Sequence, residues 1–141
     1  MTPEQIELVQ SSFERLGPDP AALATRFYQE LFGRDPGLRP LFTTDLALQK
    51  VRFAAKLTEI VQAIPRLDEL LAQTRALGAR HAGYGVRVAD YNTVGEALLA
   101  ALAAVLGDGF DPATREAWIT AYSLVAETML QGAADARPIG R

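Results

Sequence analysis

Apolar residues recur at intervals of three and four along nearly the whole chain, and nowhere do apolar and polar residues alternate strictly over a strand's length. That period predicts helices. The first opens with Thr2 as cap, Pro3 at the first helical position and Gln5 placed to close a capping box, and it lines up Ile6, Val9, Phe13 and Leu16. Gly17-Pro18 breaks it. Asp19-Pro20 repeats the cap-then-proline device for a second helix with Leu23, Phe27, Leu31 and Phe32 inward and Tyr28 on the same face. Asp35-Pro36 begins a third element, kept short by Pro40 and ending at Leu41-Phe42. Thr43-Thr44-Asp45 can cap a longer helix that runs to Ile64 before Pro65, with Val51, Ala54, Leu57 and Val61 expected inward. The next helix, from about Leu67, puts Leu70, Leu71, Leu77 and His81 on one stripe and stops at Gly83-Tyr84-Gly85. Tyr91 to Leu106 follows, with Val94, Leu98, Leu102 and Val105 as its stripe, and Gly107-Asp108-Gly109 ends it. The last helix begins with Asp111 as cap and Pro112 at its first position, and carries Trp118, Tyr122, Val125 and Met129. The expectation is an all-α domain of six or seven helices over residues 1–132, with a short loose tail over 133–141.

Composition narrows what such a bundle can do. A chain of 141 residues, 49% of them hydrophobic, can bury one real core, and no apolar run approaches the roughly 18 residues that would span a bilayer. With no basic start or apolar signal segment after Met1, a cytoplasmic location is expected. The absence of cysteine excludes disulfides, thiolate catalysis, cysteine-bound zinc and iron–sulfur clusters. A net charge of −3 with scattered arginines argues against nucleic acid as a partner. Neither GxxxxGK nor a GxGxxG after a strand-like run is present, and the acidic GDGFD stretch lacks the acidic alternation of a calcium loop.

His81 is the single histidine. On an apolar stripe it is either a core residue hydrogen-bonded to backbone or a ligand to a metal or haem, and its own surroundings in the sequence leave both open. Tyr28 reads equally as a core tyrosine with a satisfied hydroxyl. Gln49 and Arg52, near Phe53 on one helix, read as a solvated flank.

Six landmarks in order change that balance: FYxxLF at Phe27 to Phe32, RPLF ending at Phe42, Gln49 seven residues on, RHxxYGV at Arg80 to Val86, YxxVGEALL at Tyr91 to Leu99, and AWxxAY at Ala117 to Tyr122. Together they resemble the globins, specifically single-domain bacterial haemoglobins like the haem domain of flavohaemoglobins, over about Glu4 to Gly132. The resemblance implies a haem b cofactor with His81 as the ligand to its iron and Phe42 packed on its plane. It puts Tyr28 and Gln49 at the distal positions, able to donate hydrogen bonds to a bound diatomic gas, and Arg52 where a haem propionate is often approached. Phe53, Leu77, Val86, Val94 and Leu98 would line the slot, Phe53 being bulkier than the aliphatic residue usual at its position.

Two departures carry consequences. Tyr91 matches the tyrosine that helps orient the proximal imidazole in bacterial relatives, but the glutamate that completes that network is replaced by Ala133. The proximal push toward iron is therefore expected to be weak, and peroxidase chemistry poor. Second, no flavin or nicotinamide domain is present in this sequence. The expected function is reversible binding of oxygen, nitric oxide or carbon monoxide; nitric oxide dioxygenation or weak peroxidase activity, the alternative, would need an external reductase.

Overall fold

The computed structural model describes residues 1–17, 20–42, 45–66 and 88–135, and all regular structure among them is helical. Helix α1 spans Pro3–Glu14, α2 Ala21–Arg34, α3 Leu46–Ala63, α4 Val88–Leu106 and α5 Pro112–Asp135, with short 3-10 turns at Pro36–Leu41 and Gly107–Gly109. Local chemistry sets these ends. The Thr2 hydroxyl accepts from the Gln5 N–H at 3.1 Å while the Gln5 side chain accepts from the Thr2 N–H at 3.0 Å, closing the capping box. Asp35 accepts from the Gly37 N–H at 3.0 Å, Asp45 from Ala47 at 2.9 Å and Asp111 from Thr114 at 2.8 Å, so each of these expected aspartate caps forms. The second helix begins one residue later than expected: Pro20 is itself the cap residue and lends no side-chain hydrogen bond. Asp19, Thr43 and Thr44 lie outside the described residues.

Helix α2 is the centre of the packing, set against α4 on one side and α3 and the Pro36–Leu41 turn on the other, while α1 lies against α5 and touches α3. The shared core includes Val9, Leu23, Phe27, Leu31, Leu38, Val61, Ile64, Leu98, Leu102 and Trp118. Close packing of α2 on α4 is helped by Ala24 and by Ala97 and Ala101, all fully or almost fully buried.

A buried hydrogen-bond chain ties α5 to α1. The Trp118 indole N–H donates to the Ser12 hydroxyl at 2.8 Å, and that hydroxyl donates to the Val9 carbonyl at 2.9 Å. Ser12→Ala would leave the indole N–H buried without its acceptor, which costs about 1–3 kcal/mol. The expected result is a lower denaturant midpoint with an unchanged slope; an unchanged midpoint would mean that another acceptor takes the indole proton.

Two expected core positions face outward instead. Val51 is 65% exposed. The stacked Phe27–Phe53 pair fixes the rotation of α3, and at about 100° per residue Val51 falls roughly 160° around the helix from Phe53. Leu46, Phe53, Leu57, Ile60, Val61 and Ile64 form the inner stripe in its place. Val105 is 38% exposed because it sits in the last turn of α4, just before the chain reverses at Gly107 with φ +57°.

Candidate functional site

The sequence brings an aromatic wall together from three elements. Phe27, Tyr28 and Phe32 come from α2, Phe42 from the end of the 3-10 turn, and Phe53 from α3. Phe27 and Phe53 stack with ring centroids 4.2 Å apart and planes 7° from parallel. Tyr28 stands at the middle, edge-on to Phe42 at 5.6 Å, to Phe53 at 5.8 Å and to Phe27 at 5.1 Å. Phe32 meets Phe42 edge-on at 5.5 Å. Such edge contacts are favourable beyond area burial and give Tyr28 few alternative orientations. Arg39 closes the wall from outside: its guanidinium donates to the Phe42 carbonyl at 3.1 Å and lies 5.5 Å over the Phe32 ring, bracing both residues at once.

Tyr28 is the polar group in this apolar surround. The residue is almost fully buried, and burial pushes its phenol from 10.0 up to about 12. It is therefore a neutral O–H donor at any ordinary pH. Gln49 is half-buried one turn before Phe53 on the same helix, so both distal candidates flank one aromatic surface. Arg52 is exposed on the flank of α3.

The second group of expected residues lies on α4. Leu98 is buried and Val94 packs partly buried against the same core. Tyr91 is buried too, and its hydroxyl is the one buried side-chain polar atom with no hydrogen-bond partner among the described residues. An orphaned buried phenol costs stability unless something outside these residues accepts its proton. The backbone beneath it is locked: the Tyr122 hydroxyl of α5 donates to the Tyr91 carbonyl. Burial raises the Tyr122 phenol well above its ordinary value, and the neighbouring Tyr91 phenol raises it further.

Gly95 makes that lock possible. A Cβ at this position would lie 2.7 Å from the Tyr122 ring, inside any normal contact distance. Gly95→Ala must displace the ring or push α4 and α5 apart, and overpacking of this kind costs about 1–3 kcal/mol. The expected outcome is a lowered thermal midpoint, recovered to some extent by the double variant Gly95→Ala/Tyr122→Leu; failure of the second change to recover anything would show that the ring is not what the methyl meets.

Of the residues singled out in the sequence, the structure gathers Tyr28, Phe42 and Phe53 into one wall, sets Gln49 on the same helix as Phe53, and groups Tyr91, Val94 and Leu98 on α4. His81, Leu77 and Val86 lie outside the described residues. Ala133 falls within the span of α5. Sequence reasoning misses Arg39 as a member of the wall, although it stands in the RPLF landmark; nothing local to an arginine among prolines announces two aromatic partners. No cluster of three or more His, Cys, Asp or Glu that could hold a bare metal ion occurs among the described residues. The donor chemistry fits a flat apolar cofactor: aromatic faces on one side, and the buried Tyr91 phenol, whose hydroxyl lacks a partner among the described residues.

The family model for Globin matches residues 25–129. The chain is a globin. It is 30% identical to a neuroglobin of Chaenocephalus aceratus over 143 residues, covering 89% of this chain and 88% of that protein. It is 27% identical to a flavohemoprotein of Bacillus subtilis, where the match covers 89% of this chain but 32% of the longer relative. Among solved structures it superposes with a TM-score of 0.85 on an engineered carbene transferase built on a candidate nitric oxide dioxygenase of Rhodothermus marinus, at 27% identity and over 96% of this chain and 94% of that one. A bacterial globin of Campylobacter jejuni gives 0.82 at 25% identity, over 95% and 97% of the two chains. The globin fold and the kinship with flavohaemoglobin haem domains, both expected from the landmarks, stand on these matches. As a globin, the protein is a haem protein. None of its described helices is long and apolar enough to cross a membrane.

Proposed function

We propose that this globin binds oxygen reversibly, together with nitric oxide and carbon monoxide, at a haem b held by His81 in a cytoplasmic setting. The observation that carries the reading is Tyr28: a buried, neutral phenol caged by four aromatic rings. Haem iron, when bound, supplies the coordination position for a diatomic gas. The residues of this chain then do the selecting. Tyr28 donates its proton toward the polar end of the ligand, and Gln49 offers a second donor from α3. Phe42, Phe53 and Phe27 keep water out, so each donated hydrogen bond is stronger than it would be in solvent. On the other side, Tyr91 offers its unpartnered hydroxyl to orient the imidazole of His81, and the Tyr122 bond to the Tyr91 carbonyl keeps that segment of α4 in place. Arg52, exposed at the flank of α3, is suited to a carboxylate at the cofactor's edge.

Optical spectra of the purified protein in ferric, dithionite-reduced and carbonyl forms test this directly. A haem spectrum that converts to a stable carbonyl form is the expected result. A protein that takes up no haem, or whose reduced form ignores carbon monoxide, would end the proposal.

A second reading, nitric oxide dioxygenation, draws on the likeness to the Rhodothermus protein. It uses the same donors, Tyr28 and Gln49, and it needs an external reductase to sustain turnover. Without one, consumption of nitric oxide is expected to stop after about one equivalent per haem.

A further inference from the structure

We propose that the outward face of α3 is the docking surface for an acidic one-electron carrier protein, which reduces the haem iron through this helix. The inference rests on the haem-protein reading above and adds the place where electrons enter and the kind of partner that brings them.

Three large hydrophobic residues are exposed among the described residues, and two of them, Leu48 at 43% and Val51 at 65%, stand one turn apart on α3. Ala47 and Ala55, also exposed, extend this strip along the helix. Scattered single apolar residues on a surface mean little, but a contiguous strip with a charged rim marks a contact surface. The rim here is mainly cationic, with Asp45 and Glu59 at its two ends. Between Leu46 and Thr58 the helix carries Lys50, Arg52 and Lys56 and no acidic residue, in a chain whose net charge is −3. Lys50 and Arg52 form no ion pair among the described residues; Lys56 is paired with Glu59 at 3.1 Å, an exposed contact that costs little to exchange. A local cationic field on an acidic protein steers acidic partners to this face and turns them away from the rest of the surface.

That charge pattern also decides between occupants. Two copies meeting α3 to α3 would set Lys50, Arg52 and Lys56 against their own equivalents, so a symmetric dimer through this face is disfavoured. A partner with carboxylates around an apolar centre is complementary. The location suits electron transfer because the opposite side of the same helix carries Gln49 and Phe53 at the aromatic wall. A partner on the outer face is separated from that wall by one helix, about 10 Å across with its side chains. One electron leaves the partner's reduced centre and converts ferric to ferrous iron, and no atom is exchanged across the contact.

The probe is a small acidic ferredoxin with a single [2Fe–2S] cluster, titrated calorimetrically against the whole protein. Binding is expected at low salt and should weaken steeply as ionic strength rises toward about 0.15 M, where the screening length falls to roughly 8 Å. Lys50→Glu/Lys56→Glu should weaken it at least about tenfold at low salt, and Val51→Ser by several-fold at every salt concentration. Arg115→Glu, on the exposed surface of α5, should leave binding unchanged. Reduction by the ferredoxin should slow in the α3 variants while reduction by dithionite does not. Salt-insensitive binding, no binding, or α3 variants that bind like the wild type would overturn the proposal. So would sedimentation showing that Val51→Ser alters self-association while leaving ferredoxin binding intact. Because the calorimetry needs no haem chemistry and the dithionite reaction needs no partner, failure of the docking surface and failure of the haem reading give different results.

Discussion

His81→Ala is expected to abolish stable haem retention. His81 is the one imidazole in the chain, there is no cysteine, and the two methionines are Met1 at the N-terminus and Met129, buried on α5. No other side chain of comparable ligand strength is available. Loss of an outer partner of a metal ligand already costs about 10- to 100-fold in affinity, so loss of the ligand itself should accelerate haem transfer to an acceptor protein by more than that. Transfer to an apoglobin acceptor, followed optically, gives the rate, and added imidazole should restore some of the wild-type spectrum. The same count predicts that no bis-histidine state forms within one chain, since a second histidine does not exist to occupy the remaining position, and the ferrous protein is five-coordinate unless Tyr28 or Lys50 reaches the iron. A His81→Ala protein that keeps haem with an unchanged carbonyl spectrum would falsify the ligand assignment.

Tyr28→Phe should release oxygen about tenfold faster than wild type, because a buried hydrogen bond of about 1.4 kcal/mol corresponds to a factor of ten. Stopped-flow displacement of oxygen by carbon monoxide measures it. Equal rates in the two proteins would mean that the hydroxyl serves only the core. The pH dependence has a defined sign. Burial holds the folded phenol at about 12, above its ordinary 10.0, so the native state favours the protonated form. The stability this contributes is complete below about pH 10 and is lost as pH rises through 12. Alkaline unfolding of wild type should therefore set in within that window, and Tyr28→Phe should unfold less steeply there. Oxygen release, by contrast, should stay flat to the lower edge of the window, since the donor remains protonated.

The site is readable unevenly in the sequence, and the reason differs by residue. Tyr28 and Phe42 announce themselves because each sits within an apolar stripe or a short landmark, whereas Phe53 enters only through the resemblance and is turned inward by its stack on Phe27. The roles of Arg39 and Tyr122 are not readable in that way. Arg39 finds Phe32 seven residues upstream and the Phe42 carbonyl three residues on, which depends on how the Pro36–Leu41 turn bends back onto α2. The Tyr122 bond to the Tyr91 carbonyl spans 31 residues and depends on Gly95 admitting the ring.

What the chain determined by itself, among the described residues, was its helices and most of their caps. Caps at Thr2, Asp35, Asp45 and Asp111 act on N–H groups two or three residues away, and prolines and glycines end helices through their own backbone. These are local forces, so composition and spacing suffice. The rotation of α3 about its axis was different. Its sequence offers an apolar stripe through Val51 as well as one through Phe53, and both satisfy the helical period. The choice fell to Phe27, 26 residues earlier, whose ring stacks on Phe53 and thereby turns Val51 and Leu48 to solvent. Only tertiary packing can decide between two amphipathic faces of one helix, because the energy that separates them resides in the neighbour.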